Sequence, residues 1–202
     1  MKYKLAVILA LGGFTVNCNS QQKAPATSTS VDSGYTYKKA SNDGIGKFYW
    51  GREISHVMGA GGTDWLERTE RNEEENTSLA ISNIQLAPNA VVADIGAGTG
   101  YYSFKLATKV PQGKVYAVEI QDEMISFLSN KKTQLKDSVV EIIKSTIASP
   151  NLPDNSVDLA IMVDVYHELE FPQEMLQAIS KSLKPTGQIL LIEYRGENPA
   201  VP

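Results

Sequence analysis

A glycine-rich segment directly behind an apolar run constrains the fold of this chain more than any other feature. It reads VVADIGAGTG at positions 91–100, and the next stretch, YYSFKLATKV, repeats Tyr102, Leu106 and Val110 on one helical face. Glycines between a strand and a helix allow a tight turn, and they let a ligand lie against the backbone. In open α/β sheets ligands bind beyond the carboxyl ends of the strands. The segment therefore predicts a ligand-binding loop at the end of a central strand.

The rest of the chain alternates short apolar runs with amphipathic stretches. The apolar runs after position 90 are VVADI, KVYAVEI, VEIIKST, SVDLAIMVDV and QILLIEY. The stretches between them carry apolar residues at helical spacing, as in Met124, Ile125, Leu128 and Leu135, or Leu176, Ile179 and Leu183. Strands that alternate with helices imply a parallel sheet covered on both faces. We predict an α/β fold with a doubly wound sheet.

Two well-known glycine loops do not fit the spacing. A phosphate-binding P-loop requires G-x-x-x-x-G-K-[ST], and no Lys-Ser or Lys-Thr pair follows Gly100. A nicotinamide dinucleotide loop requires G-x-G-x-x-G. Here the glycines alternate as G-x-G-x-G, and Tyr101 stands where the third glycine would be. Tyr101 thus argues against a nicotinamide-dependent oxidoreductase.

The pattern formed by Asp94, Gly96, Gly98 and Gly100 resembles the first motif of the class I, Rossmann-like S-adenosylmethionine-dependent methyltransferases. Three later segments are similar to the family in the same order: KVYAVEI, NLPDNSVDLAIMVDVYHEL and SLKPTGQILLIEY. The resemblance runs from about Gly46 to Tyr194. It implies a Rossmann-like methyltransferase sheet, S-adenosyl-L-methionine as the cofactor and methyl transfer to a small-molecule acceptor. A non-catalytic module that binds S-adenosylmethionine stays open as the alternative.

The resemblance also implies the residues of the cofactor site. Glu119 ends the second strand, where a carboxylate suits the neutral ribose diol. Ile120 would pack against the adenine. The complete predicted set is Asp94, Gly96, Ala97, Gly98, Gly100, Glu119, Ile120 and Asp164.

The segment DVYHEL, after the fourth strand, holds the candidates for proton transfer. Asp164, His167 and Glu168 can all accept protons, and histidine titrates nearest to physiological pH. We predict catalytic roles for Asp164 and His167. In the alternative interpretation Tyr166, His167 and Leu169 begin the next helix and pack there, with Glu168 in solvent. Methyl transfer depends mainly on orientation, and a general base adds about 10²- to 10⁴-fold.

Charge and histidine content limit the other classes of partner. The net charge is −4, and no stripe of Lys and Arg marks a nucleic-acid surface. His56 and His167 lack a local metal-ligand spacing. We predict neither a nucleic-acid partner nor a metal site.

Residues 46–87 form a leader that we expect to close over the cofactor. Arg52 or Arg68 could pair with the methionyl carboxylate, and Met58 or Trp65 could line the methyl site. The alternative is a surface helix with ordinary core anchors. The acidic run at 73–75 predicts a solvated helix face.

The chain begins with a segment typical of export. Lys2 and Lys4 precede an apolar stretch at 5–14, which is shorter than the roughly 20 residues of a membrane span. Cys18 resembles the lipidated cysteine of bacterial lipoproteins, although an ordinary signal peptide remains the alternative. We predict a signal at 1–18, a flexible linker at 19–45 and an exported or membrane-anchored protein, or a cytoplasmic one if the signal is unused.

The methyltransferase core is predicted at 88–202. The family pattern continues past its fifth strand, whereas this sequence stops at EYRGENPAVP. We therefore expect a sheet truncated after the fifth strand, with an open edge.

Overall fold

The structure, a computed structural model, describes residues 33–194. The predicted signal, Cys18 and the last eight positions lie outside the described residues. Within 33–194 no helix has the length and apolar character needed to cross a membrane.

The described chain runs through eight strands and six α-helices. In chain order they are β1 (Tyr35–Tyr37), β2 (Gly44–Tyr49), β3 (Arg52–Ser55), α1 (Thr63–Leu66), α2 (Arg71–Glu75), α3 (Thr77–Asn83), β4 (Val91–Ile95), α4 (Tyr101–Ala107), β5 (Lys114–Glu119), α5 (Asp122–Leu135), β6 (Val140–Lys144), β7 (Val157–Val163), α6 (Pro172–Ser182) and β8 (Leu183–Ile192). Short 3₁₀ turns lie at Ala60–Gly62 and Tyr166–Glu168.

The main sheet has five parallel strands in the order β6-β5-β4-β7-β8. Chain order runs outward from β4 to one edge, then returns to β7 on the other side of β4. The strand order thus reverses at β4, which is where α/β sheets bind ligands. The α/β prediction is confirmed, and the glycine loop lies at this reversal.

Apolar side chains of β4 alternate between two cores, one on each face of the sheet. Val92 packs in a cluster with Leu106 of α4 and Leu128 of α5. Ala93 packs on the opposite face, where Ile179 of α6 lies. Helices therefore cover both faces, as the doubly wound pattern requires.

Strand β8 lies at one edge of the five described strands. Its side chains are only partly covered, and Ile189 and Leu191 are 38% and 45% exposed. The register against β7 shifts between Val157 and Leu159. The KPTG segment at 184–187 belongs to β8, which follows α6 directly.

A small antiparallel sheet, β1-β2-β3, precedes the main one and was not predicted. Residues 33–45, assigned to the flexible linker, contain β1 and the first residues of β2. Their low aliphatic content misled the prediction, because aromatic rings supply the packing. The ring of Tyr35 lies 5.1 Å from that of Tyr49 and 6.2 Å from that of Phe171. The predicted leader also ends in helices, α1 to α3.

Candidate functional site

A cleft of about 290 Å³ opens at the carboxyl ends of β4, β5 and β7. All the predicted site residues except Gly100 line it: Asp94, Gly96, Ala97, Gly98, Glu119, Ile120, Asp164 and His167. Its volume is at the lower limit of the range for small-molecule sites. The structure therefore brings together segments that are up to 73 positions apart, from Asp94 to His167.

The glycine loop turns tightly at the bottom of the cleft. The backbone N–H groups of Gly96 and Ala97 both donate to the carbonyl oxygen of Val118, at 2.9 and 3.0 Å. Gly96 has φ +70°, and a Cβ there would lie 2.6 Å from Cγ2 of Val165. Glycine is thus required where the loop after β4 meets the loop after β7, and this contact sets one wall of the cleft.

Gly100 is required for packing, since it does not line the cleft. It adopts φ +78° at the N-cap of α4, and a Cβ there would lie 2.6 Å from Cδ2 of the fully buried Leu128. Its place in the glycine pattern reflects a tight contact between the start of α4 and the helix α5. The prediction of a cofactor contact at Gly100 does not follow from this geometry.

Gly100→Ala is expected to lower the free energy of unfolding by about 3 kcal/mol, from left-handed backbone strain plus overpacking. Gly51→Ala is the matched control, because Gly51 has φ +86° but nothing within 4 Å of the added Cβ. That variant should lose about 1 kcal/mol, from strain alone. Urea denaturation measures both values. Equal losses would contradict the packing role of Gly100.

Glu119 joins the loops after β4 and β5. The side chain is 4% exposed. Its Oε1 accepts the N–H groups of Ile120 and Gln121 at 2.7 and 2.9 Å, and its Oε2 accepts that of Gly98 at 2.8 Å. A carboxylate has about four acceptor positions. One position on Oε2 is therefore left toward the cleft, as a ribose contact requires.

Asp94 is buried at the end of β4. Ser103 donates a hydrogen bond of 2.6 Å to its Oδ2. Burial raises the pKa of Asp94 to about 6, assisted by the nearby charge of Glu119 and opposed by Ser103 and Arg71. The carboxyl group therefore fixes the first turn of α4 and adds a negative charge to the cleft floor.

Arg71 is a cleft residue that sequence reasoning missed. It is 4% exposed, its Nε donates to Glu75 at 2.9 Å, and its Nη1 donates to the carbonyl of Leu66. Its guanidinium lies over the rings of Tyr101 and Tyr102, at 4.5 and 5.8 Å. Among residues 33–194, Arg71 is the only arginine or lysine that lines the cleft. It is therefore the group placed to bind an anionic part of a ligand.

The two arginines predicted for that task lie elsewhere. Arg52 donates to the carbonyl of Tyr166 at 3.3 Å. Arg68 pairs with Glu74 and Glu75 and lies 3.9 Å from the Trp65 ring. Neither lines the cleft, so the pairing of Arg52 or Arg68 with the cofactor carboxylate is not supported.

The leader nevertheless forms one wall of the cleft. Met58 and Trp65 line it, together with Val57 and Leu66. Met58 is held on both sides, because its N–H donates to Glu168 at 3.1 Å and its carbonyl accepts from Gln121 at 2.9 Å. The leader therefore bridges the loops after β5 and β7.

Thr99 is a second cleft residue that the sequence did not single out. It is 1% exposed, and its hydroxyl has no hydrogen-bond partner within the described part of the chain. A buried hydroxyl without a partner is costly. Because Thr99 lines the cleft, a polar ligand there can supply the missing bond.

The DVYHEL segment faces the cleft without joining α6. Tyr166–Glu168 is a separate 3₁₀ turn, and α6 begins only at Pro172. The interpretation of His167 as the packed start of the next helix is therefore wrong. The His167 side chain is 35% exposed, and its Nδ1 donates to Oε2 of Glu193 at 2.7 Å. Glu193 is the third residue that sequence reasoning missed.

Asp164 directly follows β7 and has a strained backbone conformation, with φ +52°. Burial, together with the charges of Glu193 and Glu75, raises its pKa from 3.8 to about 6, while His167 and Arg71 act in the opposite direction.

No three His, Cys, Asp or Glu side chains among residues 33–194 cluster closely enough to hold a metal ion.

Asp164→Asn is expected to stabilise the protein at pH 8 by about 2 kcal/mol. Because the folded-state pKa is raised to about 6, the folded state binds the proton more tightly than the unfolded state, and stability is lost as pH rises from about 4 to 6. Asparagine removes this loss and tolerates the left-handed backbone. Urea denaturation at pH 8 and pH 4 measures the difference, which should vanish at pH 4. Asp154→Asn, on an exposed turn, is the control. Equal stability of Asp164→Asn and the unchanged protein at pH 8 would refute the prediction.

Known proteins agree with this fold. A family model described as a methyltransferase domain matches residues 86–200. The chain is 28% identical over 120 residues to phosphoethanolamine N-methyltransferase 1 of Arabidopsis thaliana, covering 59% of this chain and 24% of that protein. It is 26% identical over 136 residues to malonyl-[acyl-carrier protein] O-methyltransferase of Methylococcus capsulatus, covering 67% of this chain and 48% of that one. The chain thus spans less than half the length of these curated relatives.

A solved structure extends the likeness to the fold. A SAM-dependent methyltransferase from Aquifex aeolicus superposes with a TM-score of 0.65 at 29% identity, covering 71% of this chain and 79% of that one. The matched family model spans more than half of the 202 residues and includes the glycine loop, Glu119 and the DVYHEL segment. The chain belongs to the class I S-adenosylmethionine-dependent methyltransferase domain family.

Proposed function

We propose that this protein transfers a methyl group from S-adenosyl-L-methionine to a small-molecule acceptor. The observation that carries the proposal is the convergence on one cleft of the glycine loop, the buried acceptor Glu119 and the pair Asp164 and His167. The curated relatives are named for methyl transfer to phosphoethanolamine and to malonyl-[acyl-carrier protein]. Those names support methyl transfer as the class of reaction. The acceptor of this chain is unidentified.

The cleft residues fit the cofactor group by group. Glu119 keeps an acceptor position for a ribose hydroxyl, and Ile120 and Met124 offer apolar surface for the adenine. Arg71 would hold the methionyl carboxylate, and the Thr99 hydroxyl, which has no hydrogen-bond partner among residues 33–194, offers one further polar contact. The ionised carboxyl of Asp164 suits an ammonium group. The charges of Arg71 and Asp164 thus complement the carboxylate and the ammonium group of the methionine part of the cofactor.

When bound, the cofactor supplies a methyl group activated by its sulfonium. The residues of the chain orient the acceptor and manage its proton. His167 accepts the proton of the acceptor at Nε2, because Nδ1 is already engaged with Glu193. Met58 and Trp65 cover the cleft with apolar surface and limit the entry of water. Orientation supplies most of the expected rate enhancement.

Thermal unfolding of the protein with S-adenosylhomocysteine tests the cofactor class. Ligand at about 100 times its dissociation constant adds about 2.7 kcal/mol. We expect the melting temperature to rise by roughly 5 to 11 °C, given the size of the chain. NAD at the same concentration is the control and should leave it unchanged. A shift with NAD alone would favour an oxidoreductase, and no shift with either ligand would contradict the methyltransferase proposal.

The acceptor itself requires a separate assay. Released S-adenosylhomocysteine can be followed while hydroxyl and amine compounds are supplied as candidate acceptors. Binding of the cofactor product without turnover on any acceptor pool would support a binding module. The predicted export signal and the anchor at Cys18 stay predictions, since they lie outside the described residues.

A further inference from the structure

Glu193 holds the DVYHEL segment from the neighbouring strand. It directly follows β8, and the N–H of Asp164 donates to the carbonyl of Ile192 at 2.9 Å, which aligns the two strand ends. Oε1 of Glu193 accepts the N–H groups of Tyr166 and Val165, at 2.8 and 3.2 Å. One carboxylate oxygen is therefore used to fix the backbone that carries His167.

The other oxygen fixes the imidazole. Oε2 of Glu193 lies 2.7 Å from Nδ1 of His167. An ionised carboxylate can only accept hydrogen bonds, so the proton of the neutral ring must be on Nδ1. Nε2 then keeps its lone pair, and its closest acidic neighbour, Oε1 of Glu168, is 3.8 Å away. The ring itself lines the cleft.

We propose that Glu193 is a positioning residue that selects the Nδ1–H tautomer of His167 and orients Nε2 to accept a proton from the methyl acceptor. The inference rests on the proposed methyl transfer and adds a condition on the acceptor. A histidine base serves only a nucleophile that carries a proton at neutral pH, such as a hydroxyl, a thiol or a protonated amine, which excludes a carboxylate. A second residue that orients the base is typical of sites that depend on a histidine tautomer.

The charges around His167 support a basic imidazole. Glu193, Glu168 and Asp164 face it, and Arg52 of the packed leader is bound to the carbonyl of Tyr166. The hydrogen bond to Glu193 raises the pKa of His167, against the effect of burial. Burial also acts to raise the pKa of Glu193, but the bonds from His167, Tyr166 and Val165 outweigh it and lower that pKa.

Nuclear magnetic resonance of histidine-labelled protein tests the tautomer directly. The chain has two histidines, so His56 provides an internal reference. In the unchanged full-length protein above the pKa of His167, the ¹⁵N shifts should show the proton on Nδ1. A proton on Nε2 would overturn the proposal without any substitution.

Glu193→Gln tests the cause. Its amide oxygen can still accept from Val165 and Tyr166, while its NH₂ group faces Nδ1 as a donor. We expect the tautomer to change to Nε2–H and the pKa of His167 to fall by about 1 unit, with the His56 signals unchanged. Glu168→Gln removes a nearby charge but keeps the Nδ1 bond, so it should preserve the tautomer. If Glu193→Gln folds and leaves both the tautomer and the pKa unchanged, Glu193 does not position His167.

The same samples separate this inference from the proposed function. S-adenosylhomocysteine should bind the unchanged protein and Glu193→Gln equally well, because Glu193 does not line the cleft. Absence of binding to the unchanged protein would refute the methyltransferase proposal. An Nε2–H tautomer in a protein that binds the ligand would refute only the role of Glu193.

Discussion

Glu119→Gln should weaken the binding of S-adenosylhomocysteine about 10²- to 10³-fold, measured by isothermal titration calorimetry. The carboxylate is buried and already accepts three backbone N–H groups. Glutamine replaces one of its oxygens by an NH₂ donor, which faces either the N–H of Gly98 at the Oε2 position or the N–H groups of Ile120 and Gln121 at the Oε1 position. Hydrogen bonds to a charged acceptor contribute about 1.5–3 kcal/mol each, and losing the equivalent of about 3–4 kcal/mol gives this reduction.

The matched control is Glu141→Gln on the neighbouring strand β6. Glu141 is exposed and pairs with Lys114 at 2.6 Å, away from the cleft. Its affinity for S-adenosylhomocysteine should match that of the unchanged protein. Thermal unfolding without ligand shows whether Glu119→Gln is folded. If the folded variant binds within threefold of the unchanged protein, Glu119 is not a cofactor ligand.

His167→Gln should reduce methyl transfer about 10²- to 10⁴-fold while leaving S-adenosylhomocysteine affinity almost unchanged. The substitution removes the proton acceptor but keeps a side chain of similar reach. The rate of S-adenosylhomocysteine release is measured with an acceptor on which the unchanged protein turns over. The rate should also fall at acidic pH, because the base must be neutral, and the raised pKa of His167 places this loss above pH 6.5.

His56→Gln is the control for His167→Gln. His56 is the other histidine of the chain and is exposed just after β3. Its substitution should leave the rate and the pH dependence unchanged. Full turnover by His167→Gln would mean that the reaction needs orientation of the acceptor and no general base. It would also contradict the role of Glu193 in positioning His167.

The sequence predicted the parts of the fold that depend on local periodicity. The parallel strands and their covering helices follow from apolar runs and helical spacing, and the loop after β4 follows from its glycines. Gly96 shows why the pattern was informative, because its neighbour Val165 leaves no room for a side chain. Gly100 belongs to the same glycine pattern, but there glycine is needed for packing. The sequence could not distinguish a glycine that lines the cleft from one that packs against a helix.

The residues that sequence reasoning missed depend on contacts between distant segments. Arg71 lies two positions before the acidic run at 73–75, which predicted a solvated helix face, and only the fold shows that Arg71 is buried over two tyrosines. The solvated-face prediction suits Glu73 and Glu74 but is wrong for Glu75, whose side chain is 8% exposed and pairs with Arg71. Glu193 is 26 positions from His167, and only the parallel pairing of β7 and β8 joins them.

The small β1-β2-β3 sheet and the leader also affect the order in which the protein can form. Tyr35 donates to Glu174 across 139 positions, and Met58 donates to Glu168 across 110. Contacts this distant in sequence form slowly, because long loops must close first. During synthesis on the ribosome, the earliest residues must wait for nearly all of the domain to emerge before they find these partners. We therefore expect the nascent chain to remain unable to bind a nucleoside until the last strands are made, and its early aromatic residues to need protection from premature association.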